Sequence, residues 1–90
     1  MIRRKTAKDG VAVTFVLDED TAAAVSVVGD FNDWTPGLHQ LRRRSNGTRS
    51  ATVTLPAGST VRFRYLGEGG RWFDEPDADA HDGDASVLRL

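Results

Sequence analysis

Val25-Ser26-Val27-Val28-Gly29-Asp30-Phe31-Asn32-Asp33-Trp34 runs from a short apolar strand into a polar turn and closes on an indole. β-Branched side chains fit a pleated surface, so residues 25–28 read as a half-buried strand. Gly29 permits a sharp turn, and Asp30, Asn32 and Asp33 can fold their side chains back onto nearby backbone groups. This spacing sends Phe31 toward a core and carries Trp34 beyond the strand end, where a stiff loop would present it as a contact residue.

The rest of the chain keeps the same rhythm. Residues 11–17 alternate, with Val11, Val13, Phe15 and Leu17 on one face, the period-two signature of a strand. Asp9-Gly10 is a turn signal, so residues 3–8 are either the first arm of a hairpin or a frayed edge. Asp18-Glu19-Asp20 is a polar connection, and residues 21–24 lead into the strand at 25–28. Asn46-Gly47 predicts a hairpin with positive φ at both turn centres, joining the arm that ends at Arg42-Arg43-Arg44 to residues 49–55. There Ala51, Val53 and Leu55 face inward. Pro56-Ala57-Gly58-Ser59 turns into residues 60–66, with Val61, Phe63 and Tyr65 on one face and Arg62, Arg64 and Leu66 on the other. A glycine-rich loop leads to Arg71-Trp72-Phe73. Residues 74–84 read as an acidic surface loop, and Leu88 and Leu90 share a face of the last strand. About seven short strands with turn signals between them and no helix predict an all-β antiparallel sandwich.

Ninety residues make one domain, 1–90, with a single core. A net charge of −1 supplies no global attraction to nucleic acid or to an anionic membrane. The charge is uneven, with Arg3, Arg4, Lys5 and Lys8 at the start and six carboxylates between residues 74 and 84. Neighbouring edge strands at the two ends would let these groups neutralise one another. The chain has no cysteine, which excludes disulfides and thiol chemistry. No apolar stretch follows the basic start and no run reaches membrane-spanning length, so a soluble cytoplasmic protein is expected.

Four chemistries deserve weighing. Carboxylates in an exposed acidic loop lack the burial that would tune a catalytic acid, and His39 and His81 sit in separate polar loops; no catalytic residue and no cofactor is assigned. The Asp77-Ala78-Asp79-Ala80-His81-Asp82-Gly83 run departs from a calcium loop at its histidine, glycine and twelfth positions, so no metal site is assigned. Arg42, Arg43, Arg44, Arg49, Arg62 and Arg64 could line a basic strip for nucleic acid, but such charges also guard edge strands against aggregation, and nucleic acid is not expected as a partner. Trp34 and Trp72 each lie beside a turn. A flat indole with a nearby donor such as Arg64 suits a sugar ring, which needs an apolar cover and partners for its hydroxyls. Equally, both indoles could be core residues.

Hairpin register decides part of this. With Gly67 to Gly70 as the loop, Trp72 lies opposite Tyr65 and joins the core. With Gly67 to Arg71 as the loop, Trp72 lies opposite Leu66 and shares a face with Arg64. A slip of one residue exchanges the two outcomes, and a glycine-rich loop allows both.

The ordered set Val25-x-Val27-x-Gly29-Asp30-Phe31-Asn32-x-Trp34, Leu55-Pro56-x-Gly58, Phe63-Arg64-Tyr65, Trp72, Pro76 and Ser86-Val87-Leu88 resembles the family-48 carbohydrate-binding module, the isoamylase amino-terminal or early-set domain. It is similar to the glycogen-binding domain of the AMP-activated protein kinase β subunit. The resemblance implies an immunoglobulin-like sandwich and a non-catalytic module for glycogen or a related α-1,4-glucan, oligosaccharide or polysaccharide. Trp34 and Trp72 would be stacking residues and Arg64 a hydroxyl donor. One departure stands out: Ala85 occupies a position where binding members commonly carry asparagine. The rival expectation is a protein-interaction or scaffold domain that serves a glucan-metabolising enzyme, with sugar binding lost.

Overall fold

The computed structural model describes residues 1–17 and 24–90; the polar connection read at residues 18–20 and most of the lead at 21–24 lie outside them. The described residues form nine strands: β1 (Ile2–Ala7), β2 (Gly10–Leu17), β3 (Val25–Gly29), β4 (Arg42–Arg43), β5 (Arg49–Leu55), β6 (Thr60–Gly67), β7 (Arg71–Phe73), β8 (Ala80–Asp82) and β9 (Ala85–Arg89). One antiparallel sheet has the order β1-β2-β5-β4; the other has β3-β6-β9-β8, with β7 also paired to β6. The fold is the antiparallel sandwich that the strand pattern predicts, of the immunoglobulin-like type that the resemblance implies, and the count exceeds seven because β4 and β8 are only two and three residues long.

Alternation builds the core. Val13, Phe15 and Leu55 point inward from the first sheet, and Val27, Val61, Phe63, Tyr65 and Leu88 from the second. Phe15 meets Phe63 edge-on with ring centroids 5.0 Å apart, which joins the sheets at their centre. Phe31 stacks on Phe15 at 5.9 Å. Residues 2–7 form the first arm of the hairpin, in register with β2 through Ala7 opposite Gly10.

Two local expectations change. The Asn46-Gly47 hairpin is not built on two positive φ angles: only Gly47 has one, at 86°. The Gly47 N–H donates to the Arg44 carbonyl, and the Arg44 N–H donates to the Thr48 carbonyl. The result is a longer turn ending in a left-handed glycine. Asn46 instead uses Oδ1 to accept from the Thr48 N–H and hydroxyl.

The second change is larger. Residues 74–84 are not simply an exposed acidic loop, because they contain β8 and because Glu75 is completely buried. A buried carboxylate survives only when its oxygens are satisfied. Here Oε1 accepts from the Tyr65 hydroxyl at 2.7 Å and from the Met1 amino group at 2.9 Å, and Oε2 accepts from the Asp77 N–H at 2.9 Å. The Glu75 backbone is tied as well: its N–H donates to Ser86 Oγ, and its carbonyl accepts from His81 Nε2. Burial, reinforced by the Glu75 carboxylate, pushes the Tyr65 phenol far above its ordinary range, so it remains a proton donor. Arg4 pairs with Asp79 at 2.7 Å, so basic β1 and the acidic segment do meet. The Asp79 carboxyl is held below its ordinary value by the Arg89 N–H and then by Arg4.

Tyr65→Phe should lower unfolding free energy by about 1–2 kcal/mol, because it removes one donor from a buried acceptor. Glu75→Ala should cost about 3 kcal/mol or more, since it strands several buried partners at once. Urea denaturation at neutral pH measures both, and the order of the two losses checks the network.

Candidate functional site

The turn after β3 is built by the side chains that the sequence places there. Gly29 is required by crowding, not by a positive φ: its backbone is extended (φ −160°). A Cβ at this position would lie 2.5 Å from the Arg62 carbonyl oxygen and 2.7 Å from the Phe31 ring. Asn32 is buried, and its Oδ1 accepts from the Gly29 N–H at 3.0 Å. Its Nδ2 donates to the Val27 carbonyl at 3.1 Å and to His39 Nδ1 at 3.0 Å, which makes that ring nitrogen an acceptor. Asp30 reaches across to β6, where Oδ2 accepts from the Arg62 N–H one residue past the last β3 pair. Asn32 therefore folds back locally as expected, whereas Asp30 makes a long-range tie.

This turn delivers Trp34 to solvent. Trp34 is 42% exposed, and its backbone N–H donates to the Gly29 carbonyl at 2.9 Å. Asp33 and Trp34 have φ of 54° and 55°, two successive non-glycine residues in the left-handed region. Each costs on the order of 1–3 kcal/mol and persists only where neighbouring bonds hold it. Asn32 supplies that hold.

On the other side of β6, register settles the position of Trp72. Tyr65 pairs with Phe73, Leu66 with Trp72 and Gly67 with Arg71. Phe73 turns toward the core, its ring 5.3 Å from that of Tyr65, and Trp72 turns outward with 42% of its surface exposed. Arg64 shares that outer face as the diagonal neighbour, its guanidinium carbon 5.4 Å from the Trp72 ring centroid. The core reading of the two indoles is excluded by their exposure.

The structure thus brings Arg64 and Trp72 together. Trp34 comes from a separate loop at the end of β3, and no ring contact joins it to Trp72 among the described residues. By strand spacing and rise, the roots of the two loops are separated by about 10 Å across β6 and about 10 Å along it. Ala85 lies opposite Asp82 on β9 and adds no polar side chain to the outer face. A residue missed from sequence joins the group: Asp74 Oδ1 lies 3.4 Å from Arg64 Nε. One more step of the β6–β7 register places residue 74 across from residue 64, so the signal was present once the register was known.

Arg42, Arg43, Arg44 and Arg49 belong to the first sheet and its hairpin, while Arg62 and Arg64 belong to the second, so they do not form one strip. Arg62 pairs with Asp82. Among the described residues no three His, Asp or Glu side chains group to hold a metal ion. Shallow grooves of about 380 and 420 Å³ lie on the first sheet, lined in part by Arg42, Arg44, Thr52, Arg3 and Lys5. Neither is lined by a tryptophan.

Asn32→Ala should destabilise the protein by about 2 kcal/mol, through loss of buried hydrogen bonds to Gly29 and Val27. It should also release the left-handed turn, seen as increased acrylamide quenching of Trp34 fluorescence in a Trp72→Phe background.

Comparison with known proteins identifies a family and its relatives. The model of the carbohydrate-binding module 48 (isoamylase N-terminal domain) matches residues 4–80. The 1,4-alpha-glucan branching enzyme GlgB of Deinococcus radiodurans is 40% identical over 74 residues, which is 80% of this chain and 10% of that enzyme. The Rhodopseudomonas palustris (strain BisB5) enzyme of the same name is 44% identical over 66 residues, 71% of this chain and 9% of its own length. That of Thermosynechococcus vestitus is 34% identical over 71 residues, or 77% and 9%. The chain spans about a tenth of the length of these relatives.

Proposed function

The chain belongs to the carbohydrate-binding module 48 family, and from that membership we propose that it binds glycogen or a related α-1,4-glucan by stacking glucose rings on Trp34 and Trp72. These residues cover a carbohydrate-binding module and no catalytic domain of the branching enzymes. The similar enzymes are named for 1,4-alpha-glucan, which supplies the substrate class of the proposal.

One observation carries the reading: an outward-facing indole with an arginine guanidinium beside it, on a surface open to solvent. The indole removes the apolar face of a pyranose from water, and the guanidinium offers fixed donors to ring hydroxyls. Trp34 would provide a second platform for the same chain of sugars. The open surface and the Ala85 side chain both point to weak affinity, because little of the ligand is enclosed and one polar contact is lost.

The rival function, a scaffold domain for a glucan-metabolising enzyme, draws on the same Ala85. A buried Trp72 would have favoured it, and Trp72 is exposed. As to location, the expectation remains cytoplasmic; no helix among the described residues is long and apolar enough to cross a membrane.

Isothermal titration with maltoheptaose should show binding by the wild-type protein. Trp34→Ala and Trp72→Ala should each weaken it by about fivefold or more, the equivalent of roughly 1 kcal/mol of stacking. Equal heats in all three proteins, or none in the wild type, would overturn the reading. A partner captured from the native cytoplasm without dependence on glucan would support the scaffold function instead.

A further inference from the structure

We infer that Asp74 is a sugar-contacting residue in its own right, forming with Arg64 a donor–acceptor clamp for adjacent hydroxyls of a pyranose stacked on Trp72. This rests on the glucan reading above and names a specificity element within it.

The clamp follows from register. Tyr65 pairs with Phe73, so the next position along sets Asp74 across from Arg64, and the two side chains meet on the outer face at 3.4 Å through Nε and Oδ1. That single bond leaves most of both groups available. A guanidinium has five N–H donors and one is engaged; an ionised carboxylate has about four acceptor sites and one is engaged. Neither group is sealed off, since the Arg64 side chain is 25% exposed and the Asp74 side chain 43%.

Position over the indole matters too. Atoms in stacking contact lie about 3.5–4.0 Å apart, whereas the Arg64 guanidinium carbon is 5.4 Å from the Trp72 centroid. The guanidinium is thus farther from the ring than close stacking would place it, and 42% of the Trp72 surface stays exposed beside it.

Hydroxyl chemistry then requires the carboxylate. A sugar hydroxyl both accepts and donates. Arginine alone can satisfy only its lone pairs, and a hydroxyl hydrogen drawn out of water without an acceptor is costly. Ala85 has no acceptor to offer, and among the outward-facing neighbours of Trp72 the Asp74 carboxylate is the charged acceptor in contact with Arg64. Charge-assisted bonds of this kind are the stronger class. A ligand suited to the clamp is a neutral pyranose with neighbouring hydroxyls; an anionic sugar would be repelled by Asp74.

The test is isothermal titration of maltoheptaose into the wild type, Asp74→Ala, Asp74→Asn, Arg64→Ala and the Asp74→Ala/Arg64→Ala double variant. Asp74→Ala should weaken binding by about tenfold, and Asp74→Asn by less, because its carbonyl oxygen still accepts. In the Arg64→Ala background, Asp74→Ala should cause a further loss of about threefold or more, which is the signature of direct contact. Unfolding curves should be nearly unchanged by Asp74→Ala, since an exposed ion pair adds little stability. Wild-type affinity in Asp74→Ala would overturn the inference, as would no further loss in the Arg64→Ala background, where Asp74 would merely position Arg64. In either case a defective Trp72→Ala variant would leave the glucan reading standing. No binding by the wild type would overturn both.

Discussion

Strand β6 is the constraint on which the architecture turns. It pairs with β3, β7 and β9, and its strict alternation assigns every neighbour a side. Val61, Phe63 and Tyr65 go into the core, where Phe63 meets the opposite sheet through Phe15. Arg62, Arg64 and Leu66 go outward by the same rule. A slip of one residue would exchange these sets, placing two arginines in the interior, so the register is strongly enforced. With β6 so fixed, the pairing of Phe73 with Tyr65 and of Trp72 with Leu66 turns the indole outward.

The buried Glu75 is the second organiser, and it acts from β6 as well. Tyr65 projects inward and its hydroxyl ends on the Glu75 carboxylate. Through Glu75 the chain end at Met1, the Asp77 turn, Ser86 on β9 and His81 on β8 are tied into one hydrogen-bonded group. A charge in the interior is tolerable only because no oxygen is left without a donor. The same segment therefore contributes two neighbouring acids with opposite fates. Asp74 stays on the outer face beside Arg64, and Glu75 enters the core, because adjacent residues in an extended chain point to opposite sides.

The Gly29-to-Trp34 turn shows how a motif can be legible while its mechanism is not. Its residues are turn formers by type, and they form a turn. But Gly29 is there because the Arg62 carbonyl and the Phe31 ring leave no room for a Cβ. Asp30 bonds to a strand 32 residues away. Only Asn32 works as local chemistry suggested. Tertiary neighbours thus explain most of a sequence pattern that looked self-contained.

Sequence by itself determined the alternating strands, the all-β sandwich and the inward set on β2, β5 and β6, and it nominated Trp34, Arg64 and Trp72 as candidate contacts. Those features depend on short-range periodicity and turn chemistry, which a linear chain displays directly. Only the tertiary structure decided three others: that Trp72 faces water, that Asp74 stands beside Arg64, and that Glu75 is buried. Each depends on which residues lie across from one another after the glycine-rich loop, and that loop permits two registers. The choice was made by burial at a distance, with Phe73 against Tyr65 and Tyr65 on Glu75.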